Sequence, residues 1–316
     1  MVISPLHIFK ALADETRLRI INILRFHDFN VNELVTILNM GQTRISRHLK
    51  ILTDSEILQF KREGLWVFYS VTASSFGADF LKTAEPFLNR EPHFAEDRER
   101  AKEMLEKARI QTRSFFNSLA DEWKTMKQDI FGSFNMKSIL LEHLQKCGTV
   151  ADLGCGTGDF LPALLEKAEK VIGVDASKSM LEKAQKSIEH TPFSEKIELR
   201  LGEIEHLPLG DNEADCALVN MVLHHLPSPA SGLREAWRVI KPGKTLIIAD
   251  FAKHSDESLR SRFGDRRLGF TAEDLEKIIT ESGFSIKHQQ KYPLKKGLSI
   301  LLYTANKEYE YDQNKG

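Results

Sequence analysis

The segment Val150-Ala151-Asp152-Leu153-Gly154-Cys155-Gly156-Thr157-Gly158 reads as a strand running into a Gly-x-Gly-x-Gly turn and then a helix. Glycines there let the main chain approach a ligand closely and adopt positive φ. The spacing differs from the Gly-x-Gly-x-x-Gly that cradles a dinucleotide pyrophosphate, and no lysine follows to meet a phosphate. So tight a turn suits a nucleoside with an amino-acid tail. Asp175 lies 21 residues beyond Gly154, at the end of the next strand, where a carboxylate can take both ribose hydroxyls. Gly202-Glu203 follows a third strand, and Asp215-Cys216-Ala217-Leu218-Val219-Asn220-Met221 ends a fourth. Four strand ends opening on one crevice form the expected ligand site of an open α/β sheet. His224-His225 invites a general-base reading beside a packing one. Cys155 reads as a loop filler, because no base, Lys or Arg accompanies it nearby in sequence. Arg262, Arg266 and Arg267 read either as a basic lid over an acidic substrate or as a solvated helix face.

A second set of residues has different chemistry. On a helix from Gln42 to Thr53, Ile45, Leu49 and Leu52 share one face, while Thr43, Arg47 and Lys50 point the opposite way, flanked by Arg44 and Ser46. A cationic polar face on the second helix of a helix-turn-helix is what major-groove reading requires. Arg47 can bond guanine O6 and N7, Gln42 can pair with adenine, and Lys50 suits a phosphate. Lys61 and Arg62 sit at the turn of a hairpin, placed for the adjacent minor groove. His48 lies nearer the buried face and reads as a packing histidine.

The elements that must position these groups follow from periodicity. Leu6, Phe9 and Leu12 begin a short helix. Asp14 precedes a helix through Leu18, Ile21 and Leu24 to about His27, and Asn30 can cap the helix carrying Leu34, Val35 and Leu38, which Gly41 breaks. Residues 57–62 and 65–71 read as strands around Glu63-Gly64, and a helix is expected over 73–89. No Gly or Pro interrupts 95–128, whose apolar positions recur every three or four residues: one long amphipathic connecting helix. Strands are expected at 149–153, 171–175, 197–201, 214–220 and 244–251, separated by helices, then an antiparallel pair at 285–290 and 298–304.

The residues Thr16-Arg17-Leu18-Arg19-Ile20, Ile45-Ser46-Arg47-His48-Leu49-Lys50-Ile51-Leu52 and Arg62-Glu63-Gly64-Leu65-Trp66-Val67-Phe68-Tyr69 resemble the ArsR/SmtB family of bacterial repressors over about residues 5–90. The resemblance implies a winged helix-turn-helix homodimer on double-stranded operator DNA, with Gln42, Thr43, Ser46 and Arg47 at its DNA-contact positions. The family's metal sensors carry paired cysteines before the recognition helix. Here that segment is Val31-Asn32-Glu33-Leu34-Val35-Thr36, and 72–93 does not supply the Asp/His pairs of their other site, so no metal is expected. Asp152-Leu153-Gly154-Cys155-Gly156-Thr157-Gly158, Val174-Asp175, Leu207-Pro208-Leu209 and 233–243 resemble the class I S-adenosylmethionine-dependent methyltransferases over about 115–305. That resemblance implies that Asp152, Gly154, Cys155, Gly156 and Gly158 face the methionine part of S-adenosylmethionine or S-adenosylhomocysteine. It implies that Asp175 binds ribose, that Glu203 and Ile204 flank adenine, that Asn220 and Met221 lie beneath the sulfonium, and that Ala176 and Met180 also belong to the cofactor site. A small-molecule methyl acceptor is a further implied partner.

The expected class is therefore α/β: a winged helix-turn-helix over 1–92, a linker helix over 93–128, a Rossmann-like domain with a mostly parallel seven-stranded sheet over 129–306, and a polar tail over 307–316. Length permits two full cores. A net charge of −1 leaves any DNA grip to a local patch. No apolar run reaches the roughly 20 residues that span a bilayer. Met1-Val2-Ile3-Ser4-Pro5 is unlike a signal peptide, and three scattered cysteines suit a reducing cytoplasm.

Overall fold

Capping and burial set the first elements. The computed structural model describes residues 4–63, 65–72, 79–81, 83, 86, 91–189 and 191–308. Helix α1 (Pro5–Leu12) buries Ile8, Ala11 and Leu12, while Leu6 and Phe9 face outward. Asp14 accepts the Arg17 N–H and starts α2 (Glu15–Leu24), which ends earlier than expected. A two-residue strand, β1 (Phe29–Asn30), leads into α3 (Val31–Leu38). There the Asn30 side chain accepts from the Glu33 N–H and Glu33 accepts from the Asn30 N–H, a reciprocal cap of about 1 kcal/mol. Asn39 ends α3 in the left-handed region, and α4 (Gln42–Asp54) follows. Strands β2 (Leu58–Glu63) and β3 (Trp66–Val71) form the antiparallel hairpin, completing a sheet of order β1-β3-β2. The expected turn at Gly64, most of the expected 73–89 helix and most of the polar tail lie outside the described residues.

Contacts divide the chain into two units, Met1–Arg109 and Ile110–Gly316. Helix α5 (Pro92–Leu119) begins in the first, where Asp97, fully buried, takes both Arg19 guanidinium donors at 2.7 and 2.8 Å and Ala101 and Leu105 join the core. The helix does not continue to residue 128 as expected. It stops at Leu119, turns through 120–122 and restarts as α6 (Trp123–Phe131). No helix breaker marks the spot; tertiary packing overrides propensity there. Ala120 is buried, and the Trp123 ring meets Phe116 at 5.3 Å and Phe263 at 6.1 Å, both edge-on.

The second unit continues with α7 (Met136–His143), β4 (Cys147–Leu153), α8 (Leu161–Leu164), β5 (Ala168–Asp175), α9 (Lys178–Ile188), β6 (Ile197–Leu201), β7 (Ala214–Asn220), α10 (Pro229–Val239), β8 (Ile240–Phe251), α11 (Ser258–Phe263), α12 (Ala272–Glu281), β9 (Phe284–Pro293) and β10 (Ser299–Lys307). The seven strands lie in the order β6-β5-β4-β7-β8-β10-β9, with β10 antiparallel to both neighbours. Alternation assigns each strand's residues to two cores: Ala151, Leu153, Ile172, Val174, Leu246 and Ile248 to one, Val150, Val171, Ile247 and Ala249 to the other. The order reverses at β4, which is flanked by β5 and β7, so the crevice opens at their C-terminal ends. No described helix is long and apolar enough to cross a membrane.

Candidate functional site

The crevice is built from loop residues that only its strands could bring together. Gly154 and Cys155 both donate to the Val174 carbonyl, at 2.7 and 2.9 Å. Gly154 has φ +87° and Gly158 φ +75°; a Cβ on them would sit 2.5 Å from Val222 and 2.8 Å from Ala184. Both positions thus demand glycine on conformation and on space. Asp175 accepts the Gly156 N–H through one oxygen and the Ser177 N–H through the other, each at 2.8 Å. The Ala176 N–H is a third backbone donor to this carboxylate, so of its roughly four lone-pair sites one remains for a hydroxyl donor. Asp152 is 2% exposed, and burial with the Asp175 charge behind it pushes its carboxyl up to about 7. Cys155 is buried and its thiol is held well above the ordinary range by that burial, which suits a packing role.

On the floor, Met221 has φ +59°, a strained conformation for a residue with a side chain, held by its N–H bond to the Ala249 carbonyl at 2.7 Å. Asn220 Oδ1 and Thr157 Oγ1 are buried without a hydrogen-bond partner. Two orphaned polar atoms at one crevice are what a polar ligand would satisfy. Ile204 is buried and approaches the Gly154 turn, while Met180, on α9, is 1% exposed.

Three residues that sequence reasoning missed rim the crevice from α5 and the turn after it. Arg113 pairs with Glu203 at 3.1 Å, Asn117 takes the Ser177 hydroxyl at 2.7 Å, and Asp121 bonds Lys183. A spacing of four puts Arg113 and Asn117 on one helical face, with Asp121 four residues on in the turn, a signal legible only once the partners are known. The Trp123 indole nitrogen stands 3.9 Å from a Cβ built on Gly156.

His224 and His225 are 2% and 5% exposed. His224 Nδ1 is 2.6 Å from Asp250 Oδ1, and its Nε2 is 3.5 Å from Asp265 Oδ1. Burial opposes a charge on His224, but the Asp250 and Asp265 carboxylates outweigh it and raise the imidazole to about 10. Burial and the His224 charge press His225 down to about 4. His225 Nδ1 is 3.4 Å from the Gly264 carbonyl and 3.7 Å from Asp265. The arginines do not act together: Arg262 pairs with Asp129 at 3.2 Å on the surface, Arg266 is half-buried and Arg267 is buried.

In the first unit, α4 buries Ile45, Leu49 and Leu52 completely and exposes Gln42, Thr43, Arg44, Ser46, Arg47 and Lys50. Arg44 reaches the Thr16 hydroxyl at 2.9 Å and Lys50 pairs with Asp54 at 3.1 Å. On the hairpin Lys61 is half-buried and Arg62 exposed. His48 is half-buried, its Nδ1 3.7 Å from Asp14, and burial lowers its pKa, in keeping with packing.

Residues 14–59 match the model of the bacterial regulatory protein, arsR family, and residues 151–248 match that of a methyltransferase domain. The arsenical resistance operon repressor of Escherichia coli is 42% identical over 69 residues, 22% of this chain and 59% of that one. The transcriptional repressor SdpR of Bacillus subtilis is 31% identical over 68 residues, 22% and 76%. A demethylmenaquinone methyltransferase of Lactiplantibacillus plantarum is 39% identical over 111 residues, 34% and 47%. The chain thus spans about half the length of the Escherichia coli and Lactiplantibacillus plantarum relatives. Among solved structures, a complex of the Haloferax volcanii Trm112 methyltransferase activator and a putative methyltransferase is similar at TM-score 0.53 and 17% identity, over 61% of this chain and 98% of that one; this is a likeness of fold.

Proposed function

We propose that this chain, which belongs to the arsR family of bacterial regulatory proteins through its N-terminal domain and carries a methyltransferase domain behind it, is a DNA-binding repressor controlled by S-adenosylmethionine or S-adenosylhomocysteine. The observation that carries this reading is the rim of the crevice. Arg113 holds Glu203, an adenine position, and Asn117 holds Ser177, next to Ala176, and both lie on the helix whose start contributes Ala101 and Leu105 to the N-terminal core. A ligand that rearranges Glu203 or the Asp175 turn acts directly on that helix. A tenfold change in operator affinity needs only about 1.4 kcal/mol of coupling.

The residues fit the ligand. The orphaned Asn220 and Thr157 oxygens and the spare lone pair of Asp175 offer partners to its polar groups. Asp152 and the 154–158 turn would hold the amino-acid tail, Asp175 and Ala176 the ribose, Glu203 and Ile204 the adenine, with Asn220 and Met221 as the floor. S-adenosylmethionine brings an electrophilic methyl group; S-adenosylhomocysteine lacks it. On the DNA side Arg47 and Gln42 read bases, Thr43, Arg44, Ser46 and Lys50 support that reading and meet phosphate, and Lys61 and Arg62 serve the wing, in a cytoplasmic homodimer on a two-fold site.

A second reading, methyl transfer to a small-molecule acceptor, draws on the buried His224–Asp250 pair that follows Asn220-Met221 in the chain. The deciding experiment is fluorescence anisotropy of the full chain on the duplex upstream of its own gene, at fixed salt, with no ligand, with S-adenosylmethionine and with S-adenosylhomocysteine. A several-fold shift with either ligand is expected. Unchanged affinity at concentrations where both ligands bind would sink the effector role and leave catalysis as the better account.

A further inference from the structure

We propose that His224, His225 and Asp265 form a binding site for a divalent first-row transition-metal ion. Each offers one ligand atom, and the three atoms lie within 4.8 Å of one another. Asp265 Oδ1 is 3.5 Å from His224 Nε2 and 3.7 Å from His225 Nδ1. The ion would take the place of the Nδ1 proton that His225 directs at the Gly264 carbonyl, leaving the neutral ring protonated on Nε2. Metal–ligand bonds of about 2.1 Å around a tetrahedral ion put neighbouring ligand atoms about 3.4 Å apart; the two edges to Asp265 are already close to that, and the histidine–histidine edge, within 4.8 Å, closes by turning the rings.

Two independent features point the same way. Asp250 sits behind His224, 2.6 Å from Nδ1. A ligating histidine gives its other ring N–H to such a carboxylate, which fixes the tautomer and turns the remaining lone pair toward the ion. Both oxygens of Asp265 are buried without a hydrogen-bond partner. The counter-charge at hand is the His224 imidazolium, 3.5 Å away; a metal cation that displaces its Nε2 proton would bind Asp265 at shorter range and hold that buried charge. His254 Nδ1 accepts the Asp256 N–H at 3.3 Å, so the neutral ring carries its proton on Nε2, which is buried and unpartnered. Phe251 and Phe116 pack against the two histidine rings at 5.2 and 4.9 Å and keep the site apolar around its polar centre.

Two imidazoles and one carboxylate suit Zn²⁺, Fe²⁺ and Co²⁺, whereas Mg²⁺ and Ca²⁺ take oxygen ligands. Three protein ligands leave a coordination position open. The sequence expectation of no metal rested on the repressor family's thiols and Asp/His pairs. This site lies in the other unit, and its carboxylate is 41 residues from His224.

The test uses the full, tag-free chain, purified without chelators, then stripped and dialysed against Co²⁺ or Zn²⁺. One ion per chain is expected, with visible Co²⁺ ligand-field bands and imidazole scattering in the X-ray absorption spectrum of the wild type. His225→Ala and Asp265→Asn should each lower affinity at least about tenfold, and Asp250→Asn about 10- to 100-fold. No stoichiometric ion on the wild type would overturn the proposal and leave an ion-paired His–Asp network. A bound ion without imidazole scattering would overturn it too, whether or not the variants fold. Neither operator nor nucleoside binding enters this measurement, so it stands or falls apart from the repressor reading.

Discussion

At the scale of single residues, Asp152 has the most direct consequence. Its carboxyl is raised to about 7, so between the ordinary carboxylate range and that value the folded chain holds a proton that the unfolded chain has lost. Stability supplied by that proton is fully present at low pH and is lost as pH rises through about 7. In the ligand-free protein, Asp152→Asn should therefore gain thermal stability relative to wild type as pH is raised from about 4 to about 7.5. A ligand ammonium facing Asp152 favours the ionised form, so nucleoside affinity should tighten over the upper part of the same window in wild type and not in the variant. Calorimetry at three pH values measures it; identical pH profiles for the two proteins would remove Asp152 from the ligand's contacts. The glycine turn after β4 and the carboxylate that closes β5 were legible in sequence, because a tight turn of this kind needs glycine and both lie where apolar strands end. Asp250 and Asp265 were not, because nothing local marks a carboxylate that meets a histidine from 26 or 41 residues away.

At the scale of elements, strands and helices followed from periodicity where burial has a simple pattern. The buried parallel strands read as apolar runs and were placed to within a few residues; Asn30, a side chain that can only cap, was read as a cap and forms one. The break after Leu119 was invisible because it lies in the packing of Phe116, Ala120 and Trp123, not in a breaker residue. Arg113 and Asn117 read as ordinary helix-surface residues until their partners were in place. Helix α4 separates folding from reading on its two faces, which gives a paired expectation. Leu49→Ala should destabilise by about 2–5 kcal/mol, because Leu49 is fully buried. Arg47→Ala, on the exposed face, should leave the urea midpoint within about 0.5 kcal/mol of wild type and weaken operator binding about 5- to 150-fold. If Arg47→Ala binds the operator as wild type does, another side of the domain meets DNA.

At the scale of the whole molecule, an arsR-family domain without the family's cysteine ligands is followed, through α5, by a methyltransferase domain. The central claim is that the two sites share free energy, and such sharing is reciprocal: whatever factor the ligand applies to the operator, the operator applies to the ligand. The most direct measurement is the calorimetric Kd of S-adenosylhomocysteine, and separately of S-adenosylmethionine, on the free protein and on the protein saturated with operator duplex at the same salt. The account predicts a several-fold difference between free and DNA-bound protein for at least one ligand, equal to the factor by which that ligand shifts operator affinity, and abolished with ligand binding in Asp175→Ala. Equal ligand affinity with and without operator would contradict it.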